Sequence, residues 1–174
     1  MPAPRLTFKP LTPSRFAHLE ALFGPNGACG GCWCMWWRLA RARYEVGRGE
    51  RNRRALRRLV GSGTSPGILA YAGKEPVGWC AVEPRSAYPR LARSRTLKPV
   101  DGAPVWSITC FFVARRWRRK GVTRSLALAA VAHARKRGAR LVEAYPGDPR
   151  GDPTDAFAST GIASTFLRSG LRDE

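Results

Sequence analysis

An almost uninterrupted apolar run, Val105–Val113, leads straight into a turn with five basic side chains between Arg115 and Lys120. A glycine, Gly121, then opens a stretch patterned as a helix as far as Arg137, and Gly138 is its stop. A strand that is apolar on both faces has to be covered on both sides, so Val105–Val113 is predicted at the centre of a sheet. The helix presents Val122, Leu126, Ala129 and His133 on one stripe. Arg140–Tyr145 then reads as a further strand, ended by Pro146-Gly147. Strand, basic turn, helix and strand together require an α/β fold with a layer of helix on the sheet.

The elements before this unit are shorter. Leu6–Phe8 reads as a strand closed by Pro10. Thr12-Pro13-Ser14 is a helix start, followed by Phe16, Leu19, Leu22 and Phe23 at helical spacing. Glu50–Val60 is a basic amphipathic helix with Ala55, Leu56, Leu59 and Val60 as its apolar stripe. Gly67–Tyr71 and Pro76–Val82 form a hairpin about Ala72–Glu75. Glu83–Pro104 is a connection with four prolines, long enough to be functional or to carry a short helix. Ala163–Ser169 has room for one or two turns of a last helix. No internal repeat or linker divides the 174 residues, so one domain over 1–174 is expected.

Charge narrows the partners. Lys plus Arg number 31 against 12 Asp plus Glu, a formal net charge of +19. Such an excess suits an anionic partner, whether a phosphorylated cofactor, nucleic acid or an anionic membrane. An arginine-rich solvated surface is the plainer reading. The longest apolar stretch, Leu126–Ala134, is too short to span a bilayer, and the first ten residues have no apolar signal region. Five cysteines, an odd number, fit free thiols in a reducing cytoplasmic setting.

The basic turn has its own chemistry. The first turn of a helix leaves N–H groups unpaired and carries the positive end of the macrodipole. A phosphate or pyrophosphate placed there satisfies both, and Gly121 lets it approach the backbone. Arg and Lys around the turn add charge-assisted donors.

Arg118-Arg119-Lys120-Gly121-Val122-Thr123 resembles the Arg/Gln-x-x-Gly-x-Gly/Ala signature of the GNAT superfamily of acetyl-coenzyme A-dependent N-acetyltransferases. The order of elements is similar over nearly the whole chain. The Cys-Trp-Cys-Met-Trp-Trp-Arg stretch at 32–38 is similar to a bacterial subgroup of that superfamily. The resemblance implies a mixed, mainly antiparallel twisted sheet flanked by helices, with a short or incomplete C-terminal end. It implies acetyl-coenzyme A as acyl donor, with no metal. Arg118, Arg119, Lys120, Gly121, Val122, Thr123 and Arg124 would hold the pyrophosphate. Phe112 and Val113, at the end of the strand, would pair with the pantetheine arm. The strands Val105–Val113 and Arg140–Tyr145 would splay apart around the thioester. Thr123 departs from the signature, where Gly or Ala is usual. Phe166 stands where the family often carries a tyrosine that protonates the departing thiolate.

Cys29-x-x-Cys32-x-Cys34 has zinc-like spacing, yet Cys80 and Cys110 are isolated and neither histidine is paired, so no metal is expected. Cys29-Gly30-Gly31-Cys32-Trp33 mimics a papain-like protease start, but His133 is the last histidine and Asn26 and Asn52 the only asparagines. A thiol that accepts or carries an acyl group stays open. Trp33, Met35, Trp36 and Trp37 either pack the core or line an acceptor pocket, and both readings stand.

Transfer to an amine needs a group that takes its proton. Glu143 and Tyr145 share one face of the last strand. They are the candidates for general base and for donor to the thiolate, with an ion pair from Glu143 to an arginine as the alternative. Glu83 is the next candidate base, and His133 reads as a packed histidine. The resulting expectation is an N-acetyltransferase acting on a small-molecule primary amine. The charge also admits an amine on RNA or protein, and a homodimer is admitted. The alternative is a non-catalytic basic module that binds coenzyme A or RNA on the same fold.

Overall fold

The computed structural model describes residues 5–145. Ten elements follow in order: β1 (Leu6–Pro10), α1 (Phe16–Phe23), α2 (Arg41–Gly47), α3 (Glu50–Gly61), β2 (Gly67–Ala72), β3 (Glu75–Pro84), α4 (Pro89–Ala92), β4 (Trp106–Val113), α5 (Val122–Lys136) and β5 (Val142–Ala144). The five strands make one sheet in sequence order. Neighbours are antiparallel from β1 to β4, and β5 runs parallel to β4. The sheet is therefore mixed and mainly antiparallel, with helices against both faces. The segments at 146–174, including Thr165–Leu171 with Phe166, lie outside the described residues.

Each face of the sheet has its own core. On one, Phe16, Leu19, Leu22 and Phe23 of α1 and Leu56 and Val60 of α3 pack with Leu69, Tyr71, Trp79 and Ala81. On the other, Val122, Leu126, Ala127, Ala130 and Ala134 of α5 cover Ile68, Ala70, Cys80, Val82, Ile108, Phe111 and Val113. Small alanines let α5 sit close to the strands. Gly78 completes that fit, because a Cβ there would come within 2.9 Å of Leu126 Cδ1 and 3.1 Å of Val122 Cγ1.

β3, not β4, is the central strand; β4 is the fourth of five, between β3 and the short β5, and its apolar run is explained by helices covering both faces. Its register with β3 steps from Val82↔Ile108 to Ala81↔Cys110, leaving Thr109 as an extra residue. This β-bulge reverses the alternation along the strand. Trp106 and Ile108 face α5 before it, and Phe111 and Val113 face α5 after it. Cys110 and Phe112 face the opposite core.

Two elements differ from the sequence pattern. α2 has only Tyr44 and Gly47 buried, too few apolar positions to show a period. β5 is three residues, shorter than the six expected, and pairs with β4 only at Trp106↔Val142, Ser107↔Glu143 and Ile108↔Ala144. Beyond that point β4 continues from Thr109 to Val113 while the described ladder to β5 has ended.

Candidate active site

The end of β4 and the start of α5 bring the basic turn to the sheet edge. Arg115–Trp117 forms a short 3₁₀ turn after Ala114. Arg119 (φ 60°) and Gly121 (φ 78°) then take left-handed backbone, which costs little at glycine and more at arginine. Gly121 is the N-cap of α5 and supplies no side-chain cap, so the N–H groups of Val122, Thr123 and Arg124 have no intrahelical acceptor. The first intrahelical bond runs from Ser125 N–H to the Gly121 carbonyl, 3.1 Å. A Cβ built on Gly121 would meet nothing within 4 Å, so the space before the helix is open. Arg119, Lys120 and Arg124 are exposed around it.

Three basic side chains of the turn have contacts of their own. Arg116 pairs with Glu75 through Nε at 3.1 Å. The Lys120 ammonium lies 5.4 Å from the Trp117 ring centroid. Arg118 Nε donates to the Val113 carbonyl at 3.0 Å, turning that side chain back onto β4.

Backbone polarity along β4 follows from one bond. Ala114 N–H donates to the Val77 carbonyl at 3.0 Å, so alternation points the backbone groups of Phe112 toward β3 as well. Those of Phe111 and Val113 point to the β5 side. The edge on which an extended chain would pair thus belongs to Phe111 and Val113. Phe112 gives its ring to the core, 5.4 Å from Phe23 in a T-shaped contact.

At the point where β5 ends, four polar side chains converge. Arg85 Nη1 lies 2.5 Å from Glu143 Oε1 and 2.7 Å from the Tyr145 hydroxyl. Tyr145 donates to Glu143 Oε1. The Ser107 hydroxyl lies 3.1 Å from Glu143 Oε1 and 2.9 Å from the Tyr145 oxygen, and its single proton serves one of the two at a time. Every contact to Glu143 is at Oε1, so Glu143 Oε2 has no partner among the described residues. Burial, reinforced by the hydrogen bond to Glu143, raises the Tyr145 pKa, so its phenol keeps its proton through neutral pH. Glu143 and Tyr145 were recognisable in the sequence. Arg85 and Ser107 were not, because their partners lie 58 and 36 residues away in the chain.

The tryptophan segment divides. Trp33 and Met35 are 5% and 4% exposed, so the structure gives both to the core rather than to a pocket wall. Trp33 packs on Phe23 with ring centroids 5.6 Å apart. Trp36 and Trp37 keep part of their surface. Trp36 meets Tyr44 edge-on at 5.0 Å, and the Arg90 guanidinium stacks over its ring at 3.7 Å. Glu83, the second candidate base, is buried in an ion pair with Arg38, whose guanidinium also lies over the Tyr88 ring at 4.7 Å. Cys34 sits below, accepting from Trp79 Nε1 at 3.4 Å. A hydrogen bond from the Cys110 thiol and the nearby Arg38 charge lower the Cys34 pKa.

His133 contacts the Trp106 ring at 6.3 Å, and burial lowers its pKa. Among the described residues no three His, Cys, Asp or Glu side chains gather to hold a metal ion, and no helix is long and apolar enough to cross a membrane. A cavity of about 280 Å³ is lined by Leu39 with residues of α2 and α3, and includes none of the β4–β5 cluster.

The acetyltransferase (GNAT) family model matches residues 33–159, and the chain belongs to that family. No curated protein matches the sequence. Among solved structures, the fold is similar to an aminoglycoside N-acetyltransferase, AAC(6')-Iy, in complex with CoA. That pair has TM-score 0.60 and 13% identity, over 97% of this chain and 89% of the other. It is also similar to an aminoglycoside acetyltransferase from an uncultured soil metagenomic sample, with TM-score 0.55 and 18% identity, over 98% and 93%. A GCN5-related N-acetyltransferase from Ralstonia eutropha JMP134 gives TM-score 0.52 and 14% identity, over 98% and 94%.

Proposed function

We propose that the protein transfers an acetyl group from acetyl-coenzyme A to a primary amine on a small molecule. The observation that carries this reading is the open N-terminus of α5 beside the end of β4, which extends past its described pairing with β5. Together they offer a phosphate site and an extended edge in series. The residues fit the donor: Gly121 leaves the approach clear, Val122, Thr123 and Arg124 offer N–H groups, and Arg119 and Lys120 supply charge. On the β5 side of β4, the Val113 N–H suits an amide carbonyl of the pantetheine arm. The donor contributes an activated acetyl thioester.

The chain's own residues manage the protons. Glu143 Oε2 accepts the proton of the attacking amine, while Arg85 and Ser107 fix the carboxylate by Oε1. Tyr145 donates to the departing thiolate from the same cluster. Trp36 and Trp37 form the aromatic side of the acceptor site. Likeness to CoA-bound and aminoglycoside-modifying enzymes supports this reading at the level of reaction type.

The test is release of free coenzyme A thiol from acetyl-coenzyme A with a mixed amine panel, with products identified by mass. Acetylated product refutes the alternative of a non-catalytic module. Tight coenzyme A binding with no turnover on any amine supports that alternative.

A further inference from the structure

We propose that the acceptor amine is carried on an anionic small molecule, with Arg90 as the residue that recognises its carboxylate or phosphate. The proposal rests on the acetyltransferase reading for the reacting amine and goes beyond it in naming the acceptor class.

The charges of the acceptor face lead there. All six glutamates among the described residues are already paired with arginine: Glu20 with Arg53, Glu45 with Arg48, Glu50 with Arg53 and Arg54, Glu75 with Arg116, Glu83 with Arg38 and Glu143 with Arg85. Asp101 accepts its own loop's Ala103 N–H at 2.8 Å. The β3–β4 connection carries Arg90, Arg93, Arg95 and Lys98, none of them ion-paired with a carboxylate among the described residues. A polycationic amine entering this face would meet like charge at every exposed group, whereas an anionic one is attracted.

Arg90 is set apart by how it is held. Its guanidinium carbon lies over the Trp36 ring, 3.7 Å from the centroid, and Nη1 donates to the Trp36 carbonyl at 3.2 Å. Its backbone N–H donates to the Trp37 carbonyl at 3.2 Å. Stacking on an aromatic face leaves the in-plane N–H groups available, the arrangement that suits a planar bidentate anion. Nε and Nη2 have no partner among the described residues. The next residue, Leu91, accepts from Arg85 Nη2 at 3.3 Å, and Arg85 holds Glu143 and Tyr145. Arg90 therefore stands one residue from the chain of contacts that reaches the proposed proton groups.

Two measurements test this on the full chain. In calorimetry with saturating coenzyme A, N-acetylglycine serves as a product-like probe and N-ethylacetamide as its uncharged counterpart. N-acetylglycine should bind roughly ten- to a hundredfold more tightly, the scale of a charge-assisted hydrogen bond. Arg90→Gln should abolish that preference without changing coenzyme A affinity. Equal binding of the two probes, or a preference that survives Arg90→Gln, overturns the proposal. In turnover, glycine, O-phosphoethanolamine, ethylamine and an aminoglycoside are compared by thiol release. The two anionic amines should lead, and the faster one tells carboxylate from phosphate. An aminoglycoside in front overturns the proposal and leaves acetyl transfer intact. No release with any amine sinks the acetyltransferase reading, while calorimetry still decides Arg90.

Discussion

Arg85 Nη1 lies 2.5 Å from Glu143 Oε1, joining the start of the β3–β4 connection to the last described strand. The same guanidinium donates to the Leu91 and Leu97 carbonyls, so it ties the connection down as well as holding the carboxylate. Arg85→Met removes the cation and leaves a mostly buried Glu143 behind. The side chains are 12% and 23% exposed, so the loss falls below that of a fully buried pair. A destabilisation of about 1–3 kcal/mol is expected, read from the urea midpoint at unchanged m-value.

Glu143→Gln and Tyr145→Phe should separate by pH. The first is expected to lower kcat by roughly ten- to a thousandfold near neutrality while leaving coenzyme A affinity in place. Raising the pH should restore part of that loss, because more of the amine is already deprotonated. The raised pKa of Tyr145 keeps the phenol protonated through neutral pH, so the Tyr145→Phe deficit should stay flat there. A Glu143→Gln enzyme with full kcat at every pH assigns the carboxylate a purely structural part.

Gly121 permits two graded substitutions. The backbone there is left-handed, so Gly121→Ala should cost about 1–2 kcal/mol of stability. Gly121→Asp adds a carboxylate where the phosphates are proposed to lie. It should weaken coenzyme A binding by on the order of tenfold or more, beyond the alanine variant. Calorimetry showing equal affinity for all three proteins would remove the α5 N-terminus from the donor site.

The tryptophans should split by phenotype. Trp33→Ala opens a hole in the α1 core and should destabilise by about 3–5 kcal/mol. Trp37→Ala should leave the melting temperature within a few degrees and raise the acceptor KM, with coenzyme A affinity within a few-fold. Equal loss of stability in both variants would place Trp37 in the core.

His133 sets an acid-side stability limb. Burial lowers its folded-state pKa, with Arg137 and Lys136 nearby acting in the same direction. The unfolded chain therefore binds a proton first, near the ordinary histidine value of about 6.5. Stability is full above that pH and falls as pH drops through the lowered pKa. His133→Gln should flatten the melting-temperature slope between about pH 7 and pH 5; an unchanged slope rejects the assignment.

Much of the framework was legible because it rests on local rules. The apolar run of β4, the Gly121 helix start and the alanine-rich stripe of α5 each declare themselves within a few residues. α2 was silent, since Tyr44 and Gly47 alone do not make a period. The site was legible only in part. Glu143 and Tyr145 are two residues apart, and that spacing shows in the sequence although β5 ends at Ala144 between them, but Arg85 and Ser107 reach them across the sheet. Trp33 and Trp37 look alike in sequence, and only packing on Phe23 separates the buried one from the half-exposed one. The bulge at Thr109 was invisible for the same reason, because an unbroken apolar strand hides a change of side.

That bulge carries a consequence for how the chain tolerates inherited change. Codons for Thr109 and its neighbours define two reading frames of side, one for Trp106 and Ile108 and another for Phe111 and Val113. Deleting a single residue there would join the frames into a regular strand. Phe111 and Val113 would still face α5, and Cys110 and Phe112 the opposite core, so losing Thr109 keeps both linings, whereas losing Phe111 or Phe112 exchanges them beyond the cut. Deletion of Thr109 should therefore be accepted more readily than deletion of Phe111 or Phe112, and a library of single-residue deletions, scored for soluble protein, would display that asymmetry.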